Sequence, residues 1–236
     1  MGSSPTGPSK KSSTDMHQSH IDCDFVFYRG KVYKHLCEYF ATINKMRNAI
    51  LVHGWAHKDE YYEPKYPTSS NSHWLPWLSK QLMIRDIHTI AVEMPSSYYP
   101  DYLKWKIEFE RYEITPETIL VGHSCGGGFL IRWLSENKDK RVNKLILVAP
   151  WVGTEPDQPF DNTFFEFEWD NGLHLRTNKL IMFSSTNDVK SVKDSEEIIK
   201  HKLQNLKTIG LENKGHFTLQ GLGSVEFPEL LEMCLD

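Results

Sequence analysis

Ile119-Leu120-Val121-Gly122-His123-Ser124-Cys125-Gly126-Gly127-Gly128 decides how this chain folds. An apolar run ends in Gly-x-Ser-x-Gly, and Gly127 to Asn137 then shows the spacing of an amphipathic helix. Strand, sharp turn and helix form the context in which this motif displays a reactive serine. The turn strains its central residue, so Gly122 and Gly126 must lack side chains to let backbone and helix pass closely. A glycine-rich turn without chemistry is the plain alternative, and the flanks argue against it.

Outward from this stretch, short apolar runs recur at Ala49 to Val52, Ile87 to Val92, Thr118 to Val121, Lys144 to Ala149, Lys179 to Ser184 and Lys207 to Leu211. Each is continuous rather than alternating, as expected of strands covered on both faces, and the intervals leave room for crossover helices. Helices are expected at Trp74 to Met83, Asp101 to Glu113, Gly127 to Asn137, Asp194 to Leu206 and Phe227 to Leu235. The pattern predicts an α/β class protein: a doubly wound, mainly parallel sheet with helices on both faces, which with the serine motif is the α/β-hydrolase fold. Ahead of it, Phe25 to Tyr28 reads as a strand and His35 to Lys45 as a short helix. Residues 1 to 20 are rich in Ser, Pro, Gly and Lys and read as a disordered tail, leaving 21 to 236 as a single domain.

In such a sheet ligands bind beyond the carboxyl ends of the strands, so the residues just after each strand carry the chemistry. A serine hydroxyl needs a histidine to take its proton and an acid to fix that histidine's tautomer. Asp188 follows the Leu180 to Ser184 run in Ser-Ser-Thr-Asn-Asp, and His216 follows the last strand in Lys-Gly-His-Phe. The chain order Ser, Asp, His is that of this fold. Of the eleven histidines, His53 and His123 belong to strand-end motifs, His88 lies within a strand, and His174 and His201 do not follow a strand's carboxyl end. Asp194 reads as a helix N-cap, so Asp188 is preferred as the acid. The amides of Trp55, after the first strand of the sheet, and Cys125, after the nucleophile, are the expected oxyanion donors. Trp55 can equally form a wall of the site. Cys125 as the nucleophile would require a glycine where His123 stands. No metal-ligand spacing appears, and no cofactor is expected.

The formal charge is −4, with 39% apolar residues and a sequence pI near 6.3. There is no basic footprint for nucleic acid and no apolar stretch long enough for a membrane span, so neither partner is expected. A soluble, cytoplasmic protein follows, with Cys23, Cys37, Cys125 and Cys234 as free thiols.

Several further segments make the chain from about Ala49 onward resemble the YdeN-like serine hydrolases, a family that includes retinoblastoma-binding protein nine. They are His53-Gly54, Trp74-Leu75-Pro76-Trp77-Leu78, Glu93-Met94-Pro95, Gly122-His123-Ser124, Phe167-Glu168-Trp169-Asp170, the Ser-Ser-Thr-Asn-Asp segment, Gly215-His216-Phe217 and Phe227-Pro228-Glu229-Leu230. The resemblance implies an α/β-hydrolase with little or no lid and a triad of Ser124, Asp188 and His216. Asn187 stands where the family often carries a further acid. The segment 56 to 73 is longer than the family's, and the first 48 residues have no counterpart in it.

The function expected is hydrolysis of a small-molecule ester or amide through an acyl-enzyme. A protein-binding module that retains the fold is the second reading, since the family resembled is linked to protein partners as well as to hydrolysis. Acyl transfer to an acceptor other than water is a third. Trp55, Phe165 and Phe167 are the expected substrate contacts. Residues 155 to 170 interleave aromatics with acids and hold no Lys or Arg. They read either as a plug under the sheet or as a negative rim that would favour neutral and cationic substrates.

Overall fold

In a computed structural model, the structure describes residues 27–28, 31–32, 47–153 and 163–236. By its contacts the chain divides into two compact units, Met1–Ile43 and Asn44–Asp236. In the first unit, β1 (Phe27–Tyr28) and β2 (Lys31–Val32) pair antiparallel. The helix expected at His35 to Lys45, the tail and Cys23 and Cys37 lie outside the described residues.

The second unit is built on β3 (Asn48–Val52), β4 (His88–Val92), β5 (Ile119–His123), β6 (Val142–Val148), β7 (Thr177–Ser185) and β8 (Leu206–Leu211). Every neighbouring pair is parallel, in the order β4-β3-β5-β6-β7-β8. All six match the apolar runs to within two residues or so at each end. β5 is buried at every position and β3 at all but its first, because helices cover both faces. The edge strands β4 and β8 are half-exposed.

The helices are α1 (Lys58–Tyr62), α2 (Leu75–Met83), α3 (Tyr102–Phe109), α4 (Cys125–Glu136), α5 (Lys190–Lys202), α6 (Leu219–Leu222) and α7 (Pro228–Leu235). Asp101 caps α3 by accepting from the Lys104 amide at 3.1 Å, satisfying one of the orphan donors of a helix start. The expectation that Asp194 opens a helix is overturned. α5 starts at Lys190, and Asp194 lies one turn inside, paired with Lys190 at 2.5 Å. The first turn of α5 holds a single apolar residue, Val192, too little for hydrophobic spacing to reveal it. The sequence also gave no sign of α1 or α6, which bury no residue.

Aromatic rings dominate the core. Phe129 of α4 packs against Phe109 and Trp105 of α3, with ring centroids 5.3 and 5.7 Å apart. Phe164 closes the same cluster against Trp105 at 5.2 Å, which makes this part of the 155 to 170 stretch a plug. A second cluster joins Phe183 of β7, Phe217 and Phe227. Buried Lys144 of β6 donates to the carbonyls of Met233 and Cys234, at 3.0 and 2.8 Å, so its ammonium sits on the carboxyl end of α7 where the helix dipole favours a cation.

Candidate active site

The order β4-β3-β5 means that the chain runs outward from β3 to β4 and then returns to β3's other side. Between β3 and β5 lies the topological switch point, where the loops after two neighbouring strands separate and leave a crevice. Gly54 follows one of these strands and Ser124 the other. A Cβ added to Gly54 would stand 2.8 Å from the Cβ of Ser124, so the two loops touch at the serine.

Ser124 has φ 53° and ψ −127°, a conformation that costs a non-glycine residue about 1–3 kcal/mol. The surroundings enforce it. The Ser124 amide donates to the Val148 carbonyl at 3.0 Å, while its own carbonyl accepts from the amides of Gly127 and Trp151 at 2.9 and 3.0 Å. Side chains at Gly122 and Gly126 would run into the backbone of Gly127 and into the carbonyls of His53 and Val52, as the motif requires. α4 begins directly at Cys125, two residues before the expected start, because the turn itself supplies the helix's first bonds. The hydroxyl of Ser124 makes no hydrogen bond among the described residues, so it is free to meet a substrate.

His216 Nδ1 lies 3.0 Å from Asp188 Oδ2 and 3.2 Å from Oδ1. The Asp188 side chain is fully buried, and Oδ1 also accepts the Val189 amide at 2.7 Å. The segment before Asp188 holds the histidine loop in place. Ser185 Oγ accepts the Lys214 amide at 2.9 Å, Thr186 Oγ1 the Asn213 amide at 3.1 Å and Asn187 Oδ1 the Gly215 amide at 2.8 Å. Asn187, in place of the family's acid, thus keeps an acceptor for Gly215 without adding a charge near the histidine. Beyond His216, Phe217 is fully buried and stacks on Phe227 at 5.4 Å, pinning the loop into the core.

Two further histidines shape the site. His123 Nε2–H donates to the carbonyl of His216 at 2.8 Å, which ties the residue before Ser124 to the backbone of the histidine loop. Since a carbonyl only accepts, Nε2 must carry the proton. Burial, and then the neighbouring His216 and His73, hold His123 well below the usual histidine range. His53 accepts the Met94 amide at Nε2, 2.9 Å away, and donates from Nδ1 to the Gly54 carbonyl at 2.7 Å. These bonds fix its neutral tautomer and join the ends of β3 and β4. Burial lowers its pKa, against the opposing pull of Glu93 and the Gly54 carbonyl. The sequence reading placed both residues in strand-end motifs but gave neither a role.

These depressed values set the acid stability. A histidine that is neutral in the fold but free to protonate when unfolded makes the unfolded state bind more protons. Stability is therefore complete above a pH of about 6.5 and falls as the pH drops below it. The slope cannot exceed about 1.4 kcal/mol per pH unit for either histidine, and His123, the more strongly depressed of the two, contributes most of it, so the melting temperature should fall by a few degrees between about pH 6.5 and 5.5. In His123→Gln that slope should be visibly shallower. Thermal melts that stay level across this window would show that neither histidine is held neutral.

The amides of Trp55 and Cys125 both lie against the Cys125 sulfur and favour its thiolate, while burial outweighs them and drives that thiol far above its ordinary range. Cys125 is thus an inert neighbour rather than a second nucleophile. The Trp55 indole donates to the Tyr98 carbonyl at 3.1 Å, so its ring bridges the loops after β3 and β4. Phe165 packs on Trp151, three residues past the end of β6, at 5.1 Å. Phe167 pairs with Trp169 at 4.9 Å. Of the acids expected at a rim, Glu166 and Glu168 are exposed, whereas Asp170 is ion-paired with Arg176, which also donates to the last carbonyls of α4. Residues 154–162 lie outside the described residues. Among the described residues no group of His, Cys, Asp and Glu could hold a metal ion, and no helix is long and apolar enough to cross a membrane.

The sequence profile of the serine hydrolases matches residues 49–233, most of the chain. The chain belongs to the serine hydrolase family. The fold agrees: the ydeN gene product of B. subtilis superimposes with a TM-score of 0.66 at 20% identity, over 80% of this chain and 97% of that one. Est1E from Butyrivibrio proteoclasticus gives 0.55 at 12% identity, covering 81% and 86%, and the Paleococcus ferrophilus monoacylglycerol lipase 0.52 at 13%, covering 80% and 93%. No curated protein matches the sequence. The α/β-hydrolase fold and the YdeN-like resemblance read from the sequence therefore stand.

Proposed function

We propose that this serine hydrolase cleaves a small carboxylic ester or amide through an acyl-enzyme, with Ser124 as nucleophile, His216 as general base and Asp188 as the acid that orients it. The observation that carries the reading is the convergence of a strained serine at φ 53° and a histidine–carboxylate pair at 3.0 Å on one sheet edge, tied by the His123 bond.

The Ser124 proton passes to Nε2 of His216 as Oγ bonds to the substrate carbonyl carbon, and the electron pair of the carbonyl moves to oxygen. The Trp55 and Cys125 amides donate to that oxyanion; such a donor is worth about 10²–10³ in rate. Imidazolium formed at His216 is stabilised by buried Asp188, and the neutrality of His123 keeps a like charge away from it. The proton then goes to the leaving alkoxide or amine, the carbon–heteroatom bond breaks, and water repeats the sequence on the acyl-serine. The monoacylglycerol lipase among the structural neighbours supports an ester ahead of an amide.

The test is pre-steady-state hydrolysis of short-chain nitrophenyl esters and aminoacyl anilides. A burst of product stoichiometric with enzyme, blocked by a fluorophosphonate, is expected for at least one ester. Neither turnover nor labelling across the panel would overturn the reading.

A further inference from the structure

We infer that the serine hydrolase selects substrates carrying a carboxylate remote from the scissile bond, held by Lys58 in the cavity beside Trp55. The inference rests on the hydrolase reading above and adds its substrate class.

A cavity of about 330 Å³ is lined by Trp55, Lys58, Ser96, Tyr98, Tyr99 and Lys104. It opens between the loops that follow β3 and β4. Trp55 is shared between this cavity and the serine: it follows Gly54, which touches Ser124, and its amide lies beside Cys125. The substrate inferred is one that reaches from the serine past Trp55 into this cavity.

The lining combines aromatic walls with two cations and no acid. Lys104 is partly compensated, because Asp101 stands 3.6 Å from its ammonium. Lys58 has no carboxylate within ion-pair distance among the described residues, and its ammonium lies 5.9 Å from the centre of the Tyr98 ring. Asp59 and Glu60 follow it on α1, but neither lines the cavity. An ammonium at the mouth of an aromatic pocket, lacking a partner of its own, suits a carboxylate whose chain or ring lies along the walls.

The lysine comes from the segment 56 to 73 that the family resemblance marked as longer than usual. α1 buries no residue of its own, yet it is fastened over Tyr98: the rings of Tyr61 and Tyr62 lie 4.8 and 5.3 Å from it, and the Tyr62 and Tyr98 hydroxyls bond at 2.9 Å. The extra segment thus builds one lip of the cavity and places a cation on it. This reverses the sign of selectivity that the acid-rich 155 to 170 stretch suggested.

The experiment compares kcat/KM for nitrophenyl monoesters of glutaric, valeric and 5-(trimethylammonio)valeric acid, at low and high salt. The glutarate ester should be preferred over the cationic ester by about tenfold or more at low salt, and the preference should shrink in 0.5 M NaCl. In Lys58→Gln the glutarate-to-valerate ratio should fall about tenfold, chiefly through KM, and Lys58→Arg should keep it. Lys140→Gln, a half-exposed charge elsewhere, should leave that ratio unchanged. Binding of N-methylglutaramate, which keeps one free carboxylate, followed by calorimetry in the Ser124→Ala background with and without Lys58→Gln, reads the site without turnover. If no ester is cleaved but this ligand binds through Lys58, the hydrolase reading fails and the cavity assignment stands. Equal ratios in wild type and Lys58→Gln, or a preference for the cationic ester, would overturn the inference.

Discussion

Ser124→Ala is expected to abolish phosphonate labelling and to lower ester turnover by roughly 10⁴–10⁶-fold, because members of a triad act as a unit and the residual rate comes from the oxyanion donors and binding alone. Folding should be unaffected. Among the described residues the Ser124 side chain has no hydrogen bond to lose, and alanine meets the same backbone strain at φ 53° as serine does. Ser124→Gly should be equally inactive but more stable than wild type by about 1 kcal/mol, since glycine occupies positive φ without strain. Together the two variants separate chemistry from folding: one removes the nucleophile at constant strain, the other removes both. The measurements are turnover, labelling and thermal melts on purified protein. Activity within tenfold of wild type in either variant would remove Ser124 from the chemistry, and a less stable Ser124→Gly would mean that the turn is not strained.

The parts of this site that were legible in the sequence are those with local signals. The strands could be read because β5 and β3 are buried on both faces, which leaves unbroken apolar runs. The elbow could be read because close approach of backbone to backbone excludes every side chain but glycine's at 122 and 126. Asp188 and His216 followed from their places after β7 and β8. The bonds that hold them were not legible. Asn187 and Gly215 are 28 residues apart and His53 and Met94 are 41 apart, so the sequence carries no spacing that links either pair. Only the family's recurring segments hinted that these stretches matter. The same limit applies to Lys58: α1 is a short polar helix with no apolar stripe, and its value as a cavity wall depends on Tyr98, which arrives from another strand's end.

Asp188→Asn is expected to lower turnover by about 10⁴-fold while the fold survives, a loss of the size seen when the orienting acid of a triad becomes an amide. The geometry indicates why so small a change is so costly. Asp188 Oδ1 accepts the Val189 amide at 2.7 Å, so the asparagine oxygen must take that place to avoid opposing two donors. Its NH₂ group then occupies the position of Oδ2, 3.0 Å from His216 Nδ1. Facing a donor, Nδ1 must become the acceptor, and the ring proton moves to Nε2, where it blocks removal of the serine proton. Asp194→Asn supplies the contrast. That carboxylate is more than half exposed on α5 and, among the described residues, pairs only with Lys190 one turn away, an interaction worth about 0.5 kcal/mol or less. Its loss should leave kcat/KM within twofold of wild type. Steady-state kinetics on the two variants with one ester decide the matter: if Asp194→Asn is the more damaging, the acid has been assigned to the wrong residue, and if Asp188→Asn is harmless, His216 does not depend on that carboxylate for its tautomer.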